Sequence, residues 1–519
     1  MRGKQTWILL AVVVLWAGGN APRLAGPLTT PPYWHDLYNG SQDGAFAHNH
    51  LQLGLGVTRG ANVWAVDYSG KPFVYYSYSP LASYLLALPM LGGVSLQVSV
   101  RLVAFLLFVW FLVAFWSFAR NVWGVGVANV AVAVAALLPI NLRYGLSSIW
   151  EVMAMGPLFS ALALFASPRP RDRSWVRLTA LCGTVAALFS WLAWLALLPC
   201  LWREVRRGHR RPALVTAAWV LAVPLAIQIW GIHVAALPLG SILGHLHDRM
   251  SGAAMTMGQA PISHVDLVQR FLIWCFKTPI FYGFLASGIT AAVLVRAALG
   301  RLVRGMARVP GAGWLLLLTI YGVPFTLIAR NMASWHDYFL ILFAPLVALC
   351  CGIGASLLWR DRGREGRGTV GFSVTGICVV LAVGATATWP AAYVLRPAAG
   401  DAGLRDLAVA LGAMVQPDSV LLASPRACDS QPEQVTAPLT LPARDTPLAP
   451  YVGGLTGKTA YLCRNRAELL ELQRQLGPGR PVVVVEGNGE LDPLPPGARL
   501  RQDFPPFTVA EYPPARAPR

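Results

Sequence analysis

Charge is what this chain has least of. Only 13% of its 519 residues are charged, and 24 Asp and Glu stand against 42 Lys and Arg. A soluble protein carries roughly twice that charged fraction, so a soluble multi-domain protein is excluded. The eight cysteines form no CxxC pair and no Cys/His metal spacing, which excludes a zinc ribbon or a thioredoxin-like motif. No HExxH and no GxSxG occurs. The segment GGLTGKT at 453–459 looks like a phosphate loop, but Val452 stands where its first glycine must be, so the ATPase signature is incomplete.

Apolar sequence is what the chain has most of. Hydrophobic residues make up 55%, the mean hydropathy is +0.52, and apolar runs recur from Trp7 to Trp389. Each is long enough, at about 20 residues, to cross a bilayer as a helix. The net charge of +18 lies mostly in short arginine clusters at 169–177, 203–211, 301–308 and 360–367. Their alternation with apolar hairpins follows the positive-inside rule, so the charge reports topology and no nucleic acid is expected as a partner.

MRGK followed by WILLAVVVLW reads as an uncleaved signal-anchor with the N-terminus inside. A cleavable signal peptide is the rival reading, because GGNA is rich in small residues. Residues 25–96 read as a large first external loop with helices lying in the interface. Spans follow near 98–119, 122–140, 151–167, 213–233, 279–299, 313–329, 338–358 and 370–392. The segment 178–202 lies between two arginine clusters that both belong inside, so it must turn back near Ser190-Trp191 as two short helices. The expected fold class is an all-α polytopic membrane protein of about eleven transmembrane helices over residues 1–394. Residues 395–519 should add a small extracytoplasmic α/β domain: DSVLLAS, TAYLCRN and PVVVVEG read as strands and RAELLELQRQL as a helix. Its Pro-rich end should be disordered. Cys428 and Cys463 could pair there if the compartment is oxidising.

This topology collects the polar residues of the membrane part on the outside. WHDLYNGSQDG (34–44) places two aspartates directly after the first apolar run. Asp36 and Asp43 both precede a helix-like run, where a carboxylate also serves as a cap. His35, His48 and His50 are candidate ligands for a divalent metal ion, the one cofactor with candidate ligands in this sequence. His48 and His50 are two apart and cannot share a helix face. Glu151 opens a span. Lys71, Arg101 and Arg330 are cations at external loops or span ends, where the ordinary reading is snorkelling to lipid headgroups.

Four stretches resemble the GT-C superfamily of membrane glycosyltransferases, and more closely the bacterial relatives of dolichyl-phosphate-mannose protein mannosyltransferases and the lipid A aminoarabinose transferase. They are HDLYNGSQDGAFAHNHLQLGLGVTRG, GKPFVYYSYSPLASYLLALP, NLRYGLSSIWEVMAMGPLFSALAL and RNMASWHDYFLILFAPLVAL, in the order and spacing of that family. The usual Pro-Pro of the second stretch is Ser79-Pro80 here. The resemblance implies a sugar transferase acting outside the membrane on a polyprenyl-phosphate donor and a lipid, glycan or protein acceptor. It implies an aspartate base, with Asp36 preferred over Asp43, and a further catalytic carboxylate in Glu151. It implies donor-phosphate contacts from Lys71, Arg101, Arg330 and His336, and substrate contacts from Tyr76, Tyr78 and Asp337. The chain would lie in the inner or plasma membrane. A non-enzymatic lipid-linked sugar flippase or transporter is the alternative, and a structural assembly partner a third.

Overall fold

A computed structural model describes residues 2–24, 34–67, 71–75, 78–236, 240, 263–272, 283–302, 309–328, 337–360, 380–381, 402–424, 452–487, 489–504 and 507–514. The chain divides into two compact units. One comprises Met1–Arg23, Ala104–Ala226 and Gly244–Arg396; the other comprises Leu24–Val103, Ile227–Leu243 and Pro397–Arg519. Four described helices are long and apolar enough to cross a membrane: Trp7–Leu24, Leu96–Trp123, Arg210–Ala235 and Leu340–Leu358.

The first unit is helical. It contains most of α1 (Arg2–Leu24) and of α4 (Leu96–Trp123), then α5 (Val125–Leu137), α6 (Pro139–Tyr144), α7 (Trp150–Ala166), α8 (Arg173–Phe189), α9 (Ala193–Arg206) and most of α10 (Arg210–Ala235). After α11 (His264–Leu272) come α12 (Gly283–Leu302), α13 (Ala312–Ile328), a 3-10 helix (Asp337–Phe343) and α14 (Ala344–Arg360). Phe108, Phe111, Phe115 and Phe118 recur at helical spacing along α4 and are all fully buried. Phe159 of α7 packs edge-on against three of them, with ring centroids 5.3–5.6 Å apart. Offset and edge-on aromatic packing of this kind holds helices together where lipid removes most of the hydrophobic drive. Gly352 lets α14 approach α5 closely, since a Cβ there would lie 2.7 Å from the Val127 carbonyl oxygen. The break expected near Ser190 is present: α8 ends at Phe189 with Ser190 extended, and α9 begins at Ala193.

The second unit contains a mixed seven-stranded sheet. Its helices are α2 (Trp34–Thr58), α3 (Leu81–Leu91), α15 (Ala402–Met414), α16 (Val452–Thr456) and α17 (Arg466–Leu476). Its strands are β1 (Asn62–Val66), β2 (Pro72–Tyr75), β3 (Val420–Ala423), β4 (Ala460–Leu462), β5 (Val482–Gly487), β6 (Leu500–Phe504) and β7 (Phe507–Tyr512), in the order β2-β1-β4-β3-β5-β7-β6. β3, β4 and β5 pair in parallel. VLLA and VVVVEG are buried throughout, as continuous apolar runs in a sheet covered on both faces must be. The hairpin β1–β2 lies in the first loop, where only interfacial helices were expected. It joins the C-terminal strands through Ala65↔Ala460 and Val66↔Tyr461. Cys463 is a free thiol buried in the sheet core; Cys428 and residues 515–519 of the Pro-rich end lie outside the described residues.

Candidate functional site

In the sheet unit, α2 carries the acidic stretch. One face of a helix repeats every seven residues to within about 20°, so positions 36, 43 and 50 share a face of α2. Asp43 is 1% exposed. The next residue, Gly44, packs on Leu96 at the start of α4, where an added Cβ would come within 2.4 Å of Leu96 Cδ2. Asp36 and His35 stand in the first turn of α2; their side chains lie outside the described residues.

Behind Asp43 the helix is fastened by a polar network. Asn49 Nδ2 donates to the carbonyls of Val63 (2.8 Å) and Trp64 (3.0 Å) on β1. Its Oδ1 accepts from the Thr459 hydroxyl at 2.9 Å. One side chain thus ties α2 to both the first hairpin and the C-terminal segment. His50 Nδ1 lies 3.4 Å from Thr58 Oγ1 and Nε2 lies 3.1 Å from Ser83 Oγ. Ser83 donates in turn to Asn62 Oδ1 at 2.7 Å, and the Tyr84 ring stacks on the imidazole at 4.4 Å. Burial pulls the His50 pKa down to about 4. His48 is also held at about 4, by burial first and then by the charge of Lys458.

The remaining candidates of this unit are dispersed in their environments. Arg101 is 2% exposed on α4. Lys71 is exposed; its backbone N–H donates to Asp67 Oδ1 at 2.8 Å and closes the β1–β2 turn. Tyr78 is half-buried, with its ring stacked 6.4 Å from that of Tyr75. Tyr76 lies outside the described residues. The GGLTGKT segment supports α2: Thr459 holds Asn49, and Lys458 Nζ donates to the carbonyls of Pro417 and Ser419.

In the helical unit, Glu151 opens α7 and is 2% exposed. The Ile149 cap contributes no side-chain bond, and an acid in the first turn suits the positive end of the helix. Tyr321 of α13 lies within electrostatic reach of Glu151. The chain entering α7 is polar and buried: Asn141, Arg143, Ser147 and Ser148 are each at most 7% exposed. The Arg143 guanidinium lies 5.0 Å over the Tyr144 ring. The 3-10 helix that Asp337 opens packs on α6, α7 and α13, so this end of the unit draws on several elements. The Asp337 side chain, Arg330 and His336 lie outside the described residues.

Sequence reading passed over Asn49, Asn62, Thr459 and Tyr321. The asparagine between two histidines in AHNH was the one signal available. Among the described residues, no group of three or more His, Cys, Asp or Glu could hold a metal ion. Both ring nitrogens of His50 already face hydroxyls.

Solved structures share this architecture. ArnT from Cupriavidus metallidurans bound to undecaprenyl phosphate matches with a TM-score of 0.59 at 12% identity, over 99% of this chain and 98% of that one. AglB from Archaeoglobus fulgidus, in complex with an inhibitory peptide and a dolichol-phosphate, matches with a TM-score of 0.52 at 11% identity, over 94% and 70%. This chain has the GT-C fold. The Archaeoglobus fulgidus oligosaccharyltransferase in complex with Zn and sulfate also matches, with a TM-score of 0.52 at 11% identity. No family model matches the sequence, and none of the curated proteins does. At these identities the likeness carries the fold, and function must be argued from the site.

Proposed function

We propose that this GT-C chain is a glycosyltransferase that moves a sugar from a polyprenyl-phosphate carrier to an acceptor hydroxyl on the extracytoplasmic side of the membrane, with inversion at the sugar carbon. The observation that carries this reading is the match over 99% of the chain to a protein crystallised with undecaprenyl phosphate. Nucleotide sugars are made inside, so an outer-face enzyme needs its donor delivered on a lipid. The acceptor oxygen attacks the anomeric carbon from the face opposite the phosphate. The bond from that carbon to the phosphate oxygen breaks, and its electron pair leaves with the polyprenyl phosphate. The hydroxyl proton passes to a carboxylate on α2. Cations at the donor phosphate, from the set Lys71, Arg101, Arg330 and His336, offset the charge that develops there.

Asp36 and Asp43 are the two candidates for the base. The resemblance favours Asp36, and the burial of Asp43 supports a role for that carboxylate, because an ionisable group at membrane depth is costly to keep. Substitution to Asn separates base from cap, since Asn still accepts a hydrogen bond but takes no proton at neutral pH. Transfer from a polyprenyl-phosphate sugar should fall on the order of 10²-fold or more for the base variant, with donor binding and the thermal unfolding midpoint retained. If both Asp36→Asn and Asp43→Asn transfer at the wild-type rate, the reading fails. Donor binding by wild type with no transfer to any acceptor would favour the flippase or transporter alternative.

A further inference from the structure

The helical unit carries a second feature that sugar transfer does not use. α8 and α10 cross at Gly183, where an added Cβ would lie 2.8 Å from Val220 Cγ2. Beside this crossing the two helices line a groove of 850 Å³. Each helix contributes a stripe at three- to four-residue spacing. On α8 the stripe runs Arg173, Arg177, Leu181, Thr184; on α10 it runs Arg211, Val215, Trp219, Val223. Both stripes begin with arginine and continue apolar, so the groove is cationic at one end and greasy along the rest.

The cations are of two kinds. Arg171 is committed to the protein, with Nε 2.9 Å from Glu204 Oε2 and its Nη atoms donating to the carbonyls of Phe165 and Ser167. Arg173, Arg177 and Arg211 are exposed and form no hydrogen bond or ion pair among the described residues. The acid at this end, Asp172, caps α8 by accepting from the Trp175 N–H at 2.8 Å. Farther in, Thr184 Oγ1 is buried with no hydrogen-bond partner among the described residues. It stands seven residues beyond Arg177, about 10 Å along the helix axis, among the apolar lining of the groove.

We propose that this groove holds one anionic glycerophospholipid of the bilayer. Arg173, Arg177 and Arg211 take its phosphate, and the acyl chains run along Leu181, Val215 and Trp219. The charge complementarity selects an anion, and the apolar stripes select an amphiphile over free phosphate. The bilayer's own phospholipid is the occupant because it is the abundant anionic amphiphile at a leaflet surface. This assignment is independent of whether the chain transfers sugar.

Native mass spectrometry of the full-length protein, released from nanodiscs of equal phosphatidylglycerol and phosphatidylcholine, tests it. Wild type should retain phosphatidylglycerol over phosphatidylcholine. Each of Arg173→Gln, Arg177→Gln and Arg211→Gln should weaken that retention about fivefold, and Arg169→Gln, outside the groove, should leave it unchanged. Val215→Trp, which fills the groove and keeps every charge, should also release the lipid. Equal retention of the two lipids by wild type, full retention by the triple arginine variant, or an equal loss in Arg169→Gln would overturn the proposal. So would displacement of phosphatidylglycerol by undecaprenyl phosphate at equal mole fraction, which would make the groove a carrier site.

Discussion

Helix α7 has a buried glutamate at each end, and the two are built differently. Against its C-terminal end lies Glu204 of α9, fully buried and ringed by Arg171, Arg203 and Arg207 at 2.9, 3.8 and 3.3 Å. Arg171 and Arg203 both donate to the Phe165 carbonyl, and cations there suit the negative end of the helix. Arg203 also lies 4.2 Å over the Trp314 ring. At the N-terminal end, Glu151 follows buried Ser147 and Ser148, near Tyr321. The first end is a closed set of charges that locks helices together. The second is a single buried carboxylate in the first turn of α7 with Tyr321 of α13 within electrostatic reach. Burial alone therefore does not tell the two glutamates apart; their neighbours do.

Breaking the lock should have the largest effect on stability. Glu204→Gln leaves three arginines facing a neutral amide, and loss of one partner from a buried ion cluster costs about 3–5 kcal/mol. The thermal unfolding midpoint in detergent should fall accordingly. Glu151→Gln sharpens the contrast. It should lower transfer on the order of 10²-fold through misplaced groups, while moving the midpoint by less than half as much as Glu204→Gln. Equal destabilisation with unchanged transfer would make Glu151 a structural twin of Glu204.

Acid should act first on the sheet unit. Burial holds His50 at about 4, below the roughly 6.5 of a free imidazole. Between those values the unfolded chain binds a proton that the folded unit does not. Stability is thus fully present above about pH 6.5 and falls as pH drops toward 4, by at most about 3 kcal/mol. The groups facing the ring are Thr58, Ser83 and Tyr84, with Asn62 behind Ser83, and none of them is charged near neutral pH. Hydrogen exchange over residues 45–66 at pH 7 and pH 5 should show this loosening, and His50→Gln should reduce the pH dependence to the part that His48 contributes.

Much of the helical unit was legible because its signals are local. The break at Ser190 was expected because two arginine clusters flank one apolar run and the positive-inside rule assigns both to one side of a membrane. Asp36 and Asp43 stood out as acids directly after the first apolar run, and Glu151 as an acid opening a span. The hairpin β1–β2 did not stand out. ANVWAV and KPFVYY are short and aromatic, as interfacial segments also are, and the partner strand β4 lies near the far end of the chain. No window of sequence contains both halves of that pairing. The same holds for the support of α2, since a local reading of Asn49 sees two neighbouring histidines and not Thr459, 410 residues away.

That distant bond gives the smallest of the expected effects and the most specific one. Thr459→Val keeps the side chain's shape and removes its hydroxyl, so Asn49 Oδ1 loses its donor while Asn49 Nδ2 keeps Val63 and Trp64. A hydrogen bond of this kind contributes about 1 kcal/mol, and leaving a buried acceptor unmet costs up to about 3. The loss should appear as faster hydrogen exchange in the α2 segment around residue 49, with exchange in α7 unchanged because the lesion lies in the other unit. Thr459→Ser restores the hydroxyl and should restore protection. In a double-mutant cycle with Asn49→Ala, the two changes should cost less together than their sum, since each removes the same bond. Additive costs would mean that Thr459 and Asn49 act separately and that the C-terminal segment does not hold α2 in place.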